Sequence, residues 1–217
     1  MYTNQEPMPV SLVVDAAPET VSNADLMVVL EQIRDASAAV PVTDNGGSLT
    51  VDGILRIPTV SFTRPADTAV YADGDLVANS TTAGSVTPLE WVVAGSNNGS
   101  GMVRKARMKK SSVGITNTTF RLHLFTVVPT IATTGDNGVF ATVVSGVASY
   151  VGAFDITLDR AFADGASGAG APHTGSEANF VCASNNTKLY GLLEAKAAYT
   201  PVSGETITVE LEVVANT

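Results

Sequence analysis

The sequence predicts an all-β protein, an antiparallel β-sandwich preceded by an N-terminal arm. From residue 51 onward, about ten short apolar runs follow one another with Gly-rich turns between them. The turns SNNGSG (96–101) and GDNG (135–138) supply Gly and Asn where φ must be positive. The run at 205–214 alternates apolar and polar residues, as a half-buried antiparallel strand does. A jelly roll is the expected version, because two packed sheets limit exposed edges.

The chain divides by pattern into residues 1–50 and the sandwich domain, 51–217. Three prolines exclude a helix from residues 1–20, which we expect to be an extended arm able to add a strand to a neighbour. Residues 22–36 have the apolar spacing of one helix face after an N-cap at Ser22, and 37–50 reads as a linker. The residues expected to contact another subunit are Leu12, Val13, Val14, Leu26, Val29, Leu30 and Ile33.

The predicted strands are 51–57, 59–64, 75–80, 87–93, 101–111, 118–127, 149–158, 178–184, 188–199 and 205–214. Between two of them lies ADGASGAGAPHTGSE (163–177). Its Gly and Ala content predicts a loop rather than a strand, and loops of that length are usually functional or mobile.

Composition excludes several classes of partner and site. The net charge is -9 and the pI about 4.5, which argues against nucleic acid or an anionic membrane as the main partner. Cys182 is the single cysteine, so no intrachain disulfide can form. No run approaches the 18 or so apolar residues of a membrane span, and the N-terminus lacks a signal-peptide pattern. We therefore expect synthesis in the cytoplasm and no membrane partner.

One concentrated basic segment contrasts with the acidic chain. VRKARMKK (103–110), called the basic run below, holds five of the 12 Lys and Arg residues. Alternation puts Lys105, Arg107 and Lys109 on one face with Val103, and Arg104 and Lys110 on the other with Ala106 and Met108. Either these cations keep a solvated strand from pairing with other edges, or they dock on an acidic partner. The candidate partner-binding residues are Arg104, Lys105, Arg107, Lys109 and Lys110.

Catalytic and metal-binding patterns are weak. Cys182 and His173 could form a nucleophile pair if the fold brings them together, but Cys182 lies mid-strand, where cysteine usually packs as a small apolar residue. His123 alternates with Leu122 and Leu124 and so faces the other way, with Arg121 and Phe125. The two histidines and the cysteine match no zinc spacing, and the acids of DGD (73–75) and GDNG are explained by turn chemistry. We expect no catalytic residue, metal or cofactor.

A longer stretch resembles a known group of proteins. FTRPADTAVYADGDLVANSTTAGSVTPLEW (62–91) is similar to a recurring sequence of tailed-phage virion proteins, TRP-x-D-T-x-x-Y-x-x-G-D-x-V. The order of the following motifs also agrees: a basic strand, then FRLHLFTVVPT with DNG soon after, so that the resemblance covers about 62–160. The matching residues are Thr63, Arg64, Pro65, Asp67, Thr68, Tyr71, Gly74, Asp75 and Val77.

The resemblance implies a structural role without catalysis or cofactor. These proteins are similar to capsid decoration, or cement, proteins, which sit outside the major capsid shell, often as trimers on a jelly-roll fold. The expected partners are then the major capsid protein and further copies of this chain, and the expected location is the outer surface of the virion. Three alternatives stay open: a head-fibre base or tail baseplate component, a carbohydrate-binding or hydrolysing sandwich, and a single-strand nucleic-acid binder. The basic run has no aromatic residues for base stacking, which counts against the last.

Overall fold

The computed structural model describes residues 54–132, 134–142, 145–173 and 177–216, together with the backbone of a short hairpin. The hairpin pairs β1 (Thr43–Asp44) with β2 (Gly47–Ser48). The chain separates into two units, Met1–Leu49 and Thr50–Thr217. The predicted arm and helix lie outside the described residues, as do Leu12, Val13, Val14, Leu26, Val29, Leu30 and Ile33.

The second unit is built from antiparallel strands, which confirms the all-β class. A single helical turn, α1 (Ser145–Ala148), and a 3-10 turn (Ala83–Ser85) interrupt them. The strands are β3 (Ile54–Arg56), β4 (Thr59–Thr63), β5 (Leu76–Val77), β6 (Leu89–Val92), β7 (Ser100–Lys110), β8 (Thr119–Phe125), β9 (Tyr150–Phe162), β10 (Gly165–Gly170), β11 (Ala178–Val181), β12 (Lys188–Ala195) and β13 (Thr206–Ala215).

These strands form one continuous sheet that folds over on itself. Its order is β3-β13-β7-β10-β9-β8-β12-β5, and β4, β6 and β11 pair at the margins with β13, β12 and β7. The two ends of the sheet meet in the interior, where Trp91 of β6 donates from Nε1 to the carbonyl oxygen of Val209 in β13 at 3.1 Å. The result is sandwich-like, and this strand order does not establish a jelly roll.

The core lies inside the fold of this sheet. β13 supplies Ile207, Val209, Leu211 and Val213, all fully buried, and so confirms the predicted alternation. Other strands add large side chains, of which Trp91, Met108, Phe120, Leu122 and Phe154 are among the most buried. A second, smaller apolar cluster includes Phe125 and Leu192, with Phe140 packed against it. It lies on the opposite face of β8 and β12, because Leu192 is flanked by the inward-facing Gly191 and Leu193.

The predicted loop at 163–177 is wrong over its first half, where β10 pairs with both β7 and β9. The glycines that argued against a strand are what this strand requires. A Cβ on Gly168 would lie 2.0 Å from the carbonyl oxygen of Thr157, and one on Gly170 would lie 2.1 Å from that of Asp155. β9 approaches so closely at the register shift between Ser167 and Gly168 that only glycine fits.

Replacing Gly168 with Ala should therefore destabilise the domain. The added methyl group meets backbone atoms, which cannot move without disturbing the β9–β10 pairing, and we expect a loss of about 1–3 kcal/mol in the free energy of unfolding. Chemical denaturation measures it. Gly114→Ala is the matched control, since nothing lies within 4 Å of its Cβ position, and it should change stability by no more than about 0.5 kcal/mol. Equal stabilities would contradict the close approach.

Candidate functional site

A β-bulge changes which way the basic run faces. Glu212 of β13 lies opposite Lys105, whereas Val213 lies opposite Val103, so Arg104 is an extra residue in β7. Val103 is consequently buried while Arg104 and Lys105 are exposed. The expectation that Val103 shares a face with Lys105, and Arg104 with Ala106 and Met108, was wrong because the bulge resets the alternation.

Two cations of the basic run pair with acids of the neighbouring strand. Lys109 Nζ lies 2.5 Å from Glu210 Oε1, and Arg107 NH2 lies 2.8 Å from Glu212 Oε2. Each cation reaches diagonally across the register, because the residues directly opposite are Thr208 and Glu210.

The ladder of charges ends before Lys105. The next residue of β13 on this face after Glu212 is Val214, which offers no carboxylate. Within the part of the chain that the structure describes, Arg104 and Lys105 make no ion pair. Within the described residues, the basic run therefore presents two cations without an ion pair at the bulge, instead of the predicted row of three cations along one face.

Lys110, the last residue of the basic run, shares a strand face with Ala106 and Met108, as predicted, but that face points into the interior. Its side chain is 1% exposed and its Nζ lies 3.2 Å from Glu205 Oε1, which is fully buried. Nζ also donates to Ser112 Oγ at 2.5 Å and to Tyr199 OH at 3.2 Å. The assignment of Lys110 to partner binding is thus corrected, because its ammonium group is used inside the fold.

A second buried ion pair adjoins the first. Arg64 NH2 lies 2.8 Å from Asp136 Oδ2, and Asp136 Oδ1 accepts hydrogen bonds from Tyr71 OH at 2.6 Å and from the amide of Ala78 at 2.7 Å. Tyr71 stacks on Tyr199 with ring centroids 6.0 Å apart. Burial raises the pKa of both tyrosines, so their hydroxyls stay protonated donors. We call Arg64, Tyr71, Asp136, Lys110, Tyr199 and Glu205 the buried network.

This network gives a structural meaning to the sequence resemblance. Arg64 and Tyr71 belong to the TRP-x-D-T-x-x-Y pattern, and Asp136 comes from the GDNG turn more than sixty positions later. All three are nearly inaccessible, at 2%, 1% and 6% exposure. The pattern therefore ties the segment 64–78 to the turn 135–138, and it does not line an open site.

The contact between Lys110 and Ser112 has the composition of a Ser–Lys nucleophile pair, and a cavity of about 300 Å3 borders it. A lysine that activates serine must first lose its proton. Here the Lys110 ammonium group forms an ion pair with the buried Glu205 carboxylate, and Ser112 Oγ donates to the same carboxylate. The contact between Lys110 and Ser112 is therefore part of the buried ion pair.

His173 and Cys182 make no nucleophile pair. His173 Nδ1 lies 2.9 Å from Asp155 Oδ2, and no hydrogen bond joins it to Cys182 in the described ranges. Cys182 is 4% exposed within the main core, and burial raises the pKa of its thiol. Cys182 accordingly packs as an apolar residue.

A row of polar side chains crosses the outer face of β12, β8 and β9. Arg121 holds Asp155 through two bonds of 2.6 and 2.9 Å, and this hydrogen bonding lowers the pKa of Asp155 to about 2. Next to it, His123 Nε2 lies 2.9 Å from Glu194 Oε2. Burial lowers the pKa of His123. His123 and Arg121 share this face, as predicted from their alternation.

An aromatic cavity beside His123 was not predicted. Phe125, Phe140 and Tyr150 gather round the imidazole and leave about 250 Å3 between them. Only FRLHLF signals part of it, since a histidine and Phe125 on one strand face are visible in the alternation. Phe140 and Tyr150 lie next to His123 because the chain folds back over the sheet after β8. No local sequence pattern predicts that reversal.

A groove opens at the bulge, where β7 passes from β10 to β11. It encloses about 650 Å3 and is lined in part by Met102, Arg104, His173 and Glu177. Two apolar side chains on other strands of this part of the sheet are also exposed, Leu55 of β3 at 57% and Val181 of β11 at 64%. Leu55 and Met102 lie in one row across the sheet, because both pair with Val214. We call Leu55, Met102, Arg104, Lys105 and Val181 the docking face; it combines apolar contact with uncompensated positive charge.

Across the described ranges there is no group of three or more His, Cys, Asp or Glu residues suited to a metal ion. No helix in those ranges is long and apolar enough to cross a membrane. No family model matches the chain, and a search of curated proteins finds no match.

Lys110→Met should destabilise the domain strongly. It removes the cation but leaves Glu205 buried, and breaking a buried pair in this way lowers the free energy of unfolding by about 3–5 kcal/mol. Adding Glu205→Gln should restore part of that loss, since the buried carboxylate left without its lysine is then removed as well. Denaturant titration of the variants measures both effects. Lys105→Met, at an exposed position of the same strand, is the control, and an equally small loss for both lysines would contradict the buried pair.

The pKa of Asp155 should be about 2 by NMR titration of its carboxyl carbon. Arg121→Ala should raise it toward the ordinary value of about 3.9, while Arg160→Ala should leave it unchanged. Because folding lowers this pKa, the stabilisation is complete above about pH 4 and is lost as the pH falls through about 2. The stability difference between the wild type and Arg121→Ala should therefore shrink over that range; a constant difference would contradict the assignment.

Proposed function

We propose that the chain is a non-enzymatic virion structural protein that binds the outside of a phage capsid shell and stabilises it, as a decoration protein acting as a homotrimer. The proposal starts from the sequence resemblance over residues 62–160. The observation that carries it further is the docking face, where apolar side chains lie exposed together with two cations that form no ion pair among the described residues. Ionisable groups with perturbed pKa values are tied up in internal pairs instead, which favours binding over catalysis.

The docking face suits a lasting contact with another protein. Leu55, Met102 and Val181 can bury apolar area, which supplies most of the affinity of such interfaces. Arg104 and Lys105 bring positive charge that would meet carboxylates of the partner and set its register and rate of association more than its affinity. On an assembled shell, this contact would exist many times over.

Stabilisation of the shell follows from mass action. A protein that binds the assembled shell but not the separate subunits shifts the equilibrium toward the shell by an amount set by its free concentration and its affinity. No chemical step is needed, and a rigid binding domain serves best because ordering on binding costs free energy. The buried network and the continuous sheet give the domain that rigidity.

The same surface would serve a head-fibre base or a tail baseplate component. These alternatives differ from decoration in the structure to which the protein attaches, and so in the symmetry of assembly. Binding to isolated tails would identify a baseplate component, and the symmetry of the occupied sites on the shell would distinguish a head-fibre base from a decoration protein.

Removing the two unpaired cations should weaken binding to shells. We expect Arg104→Ala/Lys105→Ala to bind expanded shells of the same virus about tenfold more slowly than the wild type at low salt, with the difference shrinking at high salt. Co-sedimentation over time measures it. Arg160→Ala/Lys188→Ala, which removes the same charge elsewhere, is the matched control.

Sedimentation velocity of each variant checks that assembly is intact, with a trimer of about 67 kDa expected from three chains of 22.3 kDa. Equal binding by both double variants would contradict the docking face. Binding to isolated tails but not to shells would overturn the decoration role, and so would the absence of any binding to shells.

A further inference from the structure

The cavity beside His123 is a second candidate binding site and has no part in the proposed docking face. It lies on the opposite side of β8 from the main core, where the chain after β8 folds back over the sheet. Its walls are Phe125, Phe140, Tyr150 and His123, with Thr142 and Gly146 completing it. The volume of about 250 Å3 is that of a pocket for a single ring.

The aromatic walls are fixed in place by their own contacts. Phe140 stacks on His123 with ring centroids 4.5 Å apart, and Phe125 meets Tyr150 edge to face at 5.5 Å. Both nitrogens of His123 are engaged, Nε2 with Glu194 at 2.9 Å and Nδ1 with Tyr150 OH at 3.2 Å. A pocket with preformed walls loses little entropy when a ligand enters.

Glycine at position 146 keeps the cavity open. A Cβ there would lie 2.7 Å from Thr142 Oγ1 and 3.6 Å from Phe125 Cε1. Any side chain at this point would enter the space between two of the walls. The cavity thus depends on a residue without a side chain.

The lining indicates a neutral ligand. Among the described residues that line the cavity there is no Lys, Arg, Asp or Glu. Glu194, on the far side of His123 from the cavity, is already paired, because Lys196 Nζ lies 3.4 Å from its Oε1. Arg121 is likewise paired with Asp155. A charged ligand would find no uncompensated counter-ion at the walls, and entering the cavity would cost it its hydration.

The few polar atoms narrow the ligand further. Tyr150 OH and Thr142 Oγ1 are the hydroxyl groups of a lining that is otherwise largely apolar. A sugar ring carries several hydroxyls, and most of them would be left without partners here. An aromatic ring stacks favourably on such walls, and a single hydroxyl on it is matched by the two available groups.

We propose that this cavity binds a phenolic ring, either as a free small phenol or as a tyrosine side chain of another protein. The ring packs between Phe140 and Tyr150, and its hydroxyl exchanges a hydrogen bond with Tyr150 or Thr142. The proposal does not depend on the virion role, because the cavity and the docking face share no residue.

NMR titration of the full chain with p-cresol tests the proposal. We expect saturable shifts of the Thr142 and Val147 methyl resonances with a dissociation constant on the order of 1 mM or tighter. Tyr150→Phe, which keeps the wall but removes the hydroxyl, should weaken binding about five- to tenfold. Phe140→Ala should weaken it at least about tenfold, and Phe162→Ala, at an exposed aromatic residue on the other end of β9, should have no effect.

Two further ligands test whether the phenolic ring comes from a small molecule or from another protein, and whether the cavity prefers an aromatic ring to a sugar. Tighter binding of a tyrosine-containing peptide than of p-cresol would place the ligand on another protein, and binding of p-cresol alone would indicate a free phenol. Methyl glucoside should cause no shift. Absence of saturable shifts with p-cresol, unchanged binding by both cavity variants, or tighter binding of the glucoside would each overturn the proposal.

Discussion

The Arg64–Asp136 ion pair anchors the segment between β4 and β5 to the turn at 135–138, beside the backbone hydrogen bonds that join β5 to the same turn. Asp136 accepts hydrogen bonds from Arg64, Tyr71 and the Ala78 amide, so one carboxylate connects the segment before β5 to a turn more than sixty positions away. Through the stacking of Tyr71 on Tyr199, this pair adjoins Lys110 and Glu205. Buried ion pairs contribute little net stability compared with apolar packing, but removing one partner leaves an uncompensated charge. The network therefore acts through specificity, since any other arrangement of these loops leaves a charge without its partner.

Strand register decides which charges are paired on the outer face of the sheet. Arg107 and Lys109 are paired because Glu212 and Glu210 stand one row along on β13. One inserted residue, Arg104, ends this pattern and leaves two cations beside apolar neighbours. A β-bulge commonly re-aims side chains at functional sites, and here it turns a compensated charge ladder into an exposed face of mixed character. Among the described residues of β7, the cations without an ion pair are therefore Arg104 and Lys105 at the bulge. This is where the proposed partner contact lies.

The two candidate sites lie on different strands of the sheet. The docking face lies on β3, β7 and β11, whereas the aromatic cavity lies on β8 and β9 under the returning chain. The first is shallow, exposed and charged, which suits a protein surface; the second is small, aromatic and neutral, which suits a single ring. Since they share no residues, either can be altered by substitution while the other is observed. The buried network belongs to neither site and supports both by holding the connecting loops.

The sequence by itself determined most of the strand segments and, away from the bulge, which of their side chains point inward. The alternation of Ile207, Val209 and Leu211 is enough for β13, because a period of two follows from the backbone of any extended strand. The sequence alone could not determine which strands lie side by side or in what register they pair. Register decided that Lys109 meets Glu210, that a bulge follows Val103, and that the glycines of β10 form a strand against β9 instead of a loop. It also placed Lys110 beside Glu205 and gathered Phe140 and Tyr150 round His123. Such pairings join residues far apart in the chain, and their energies arise only once the tertiary structure has brought them together.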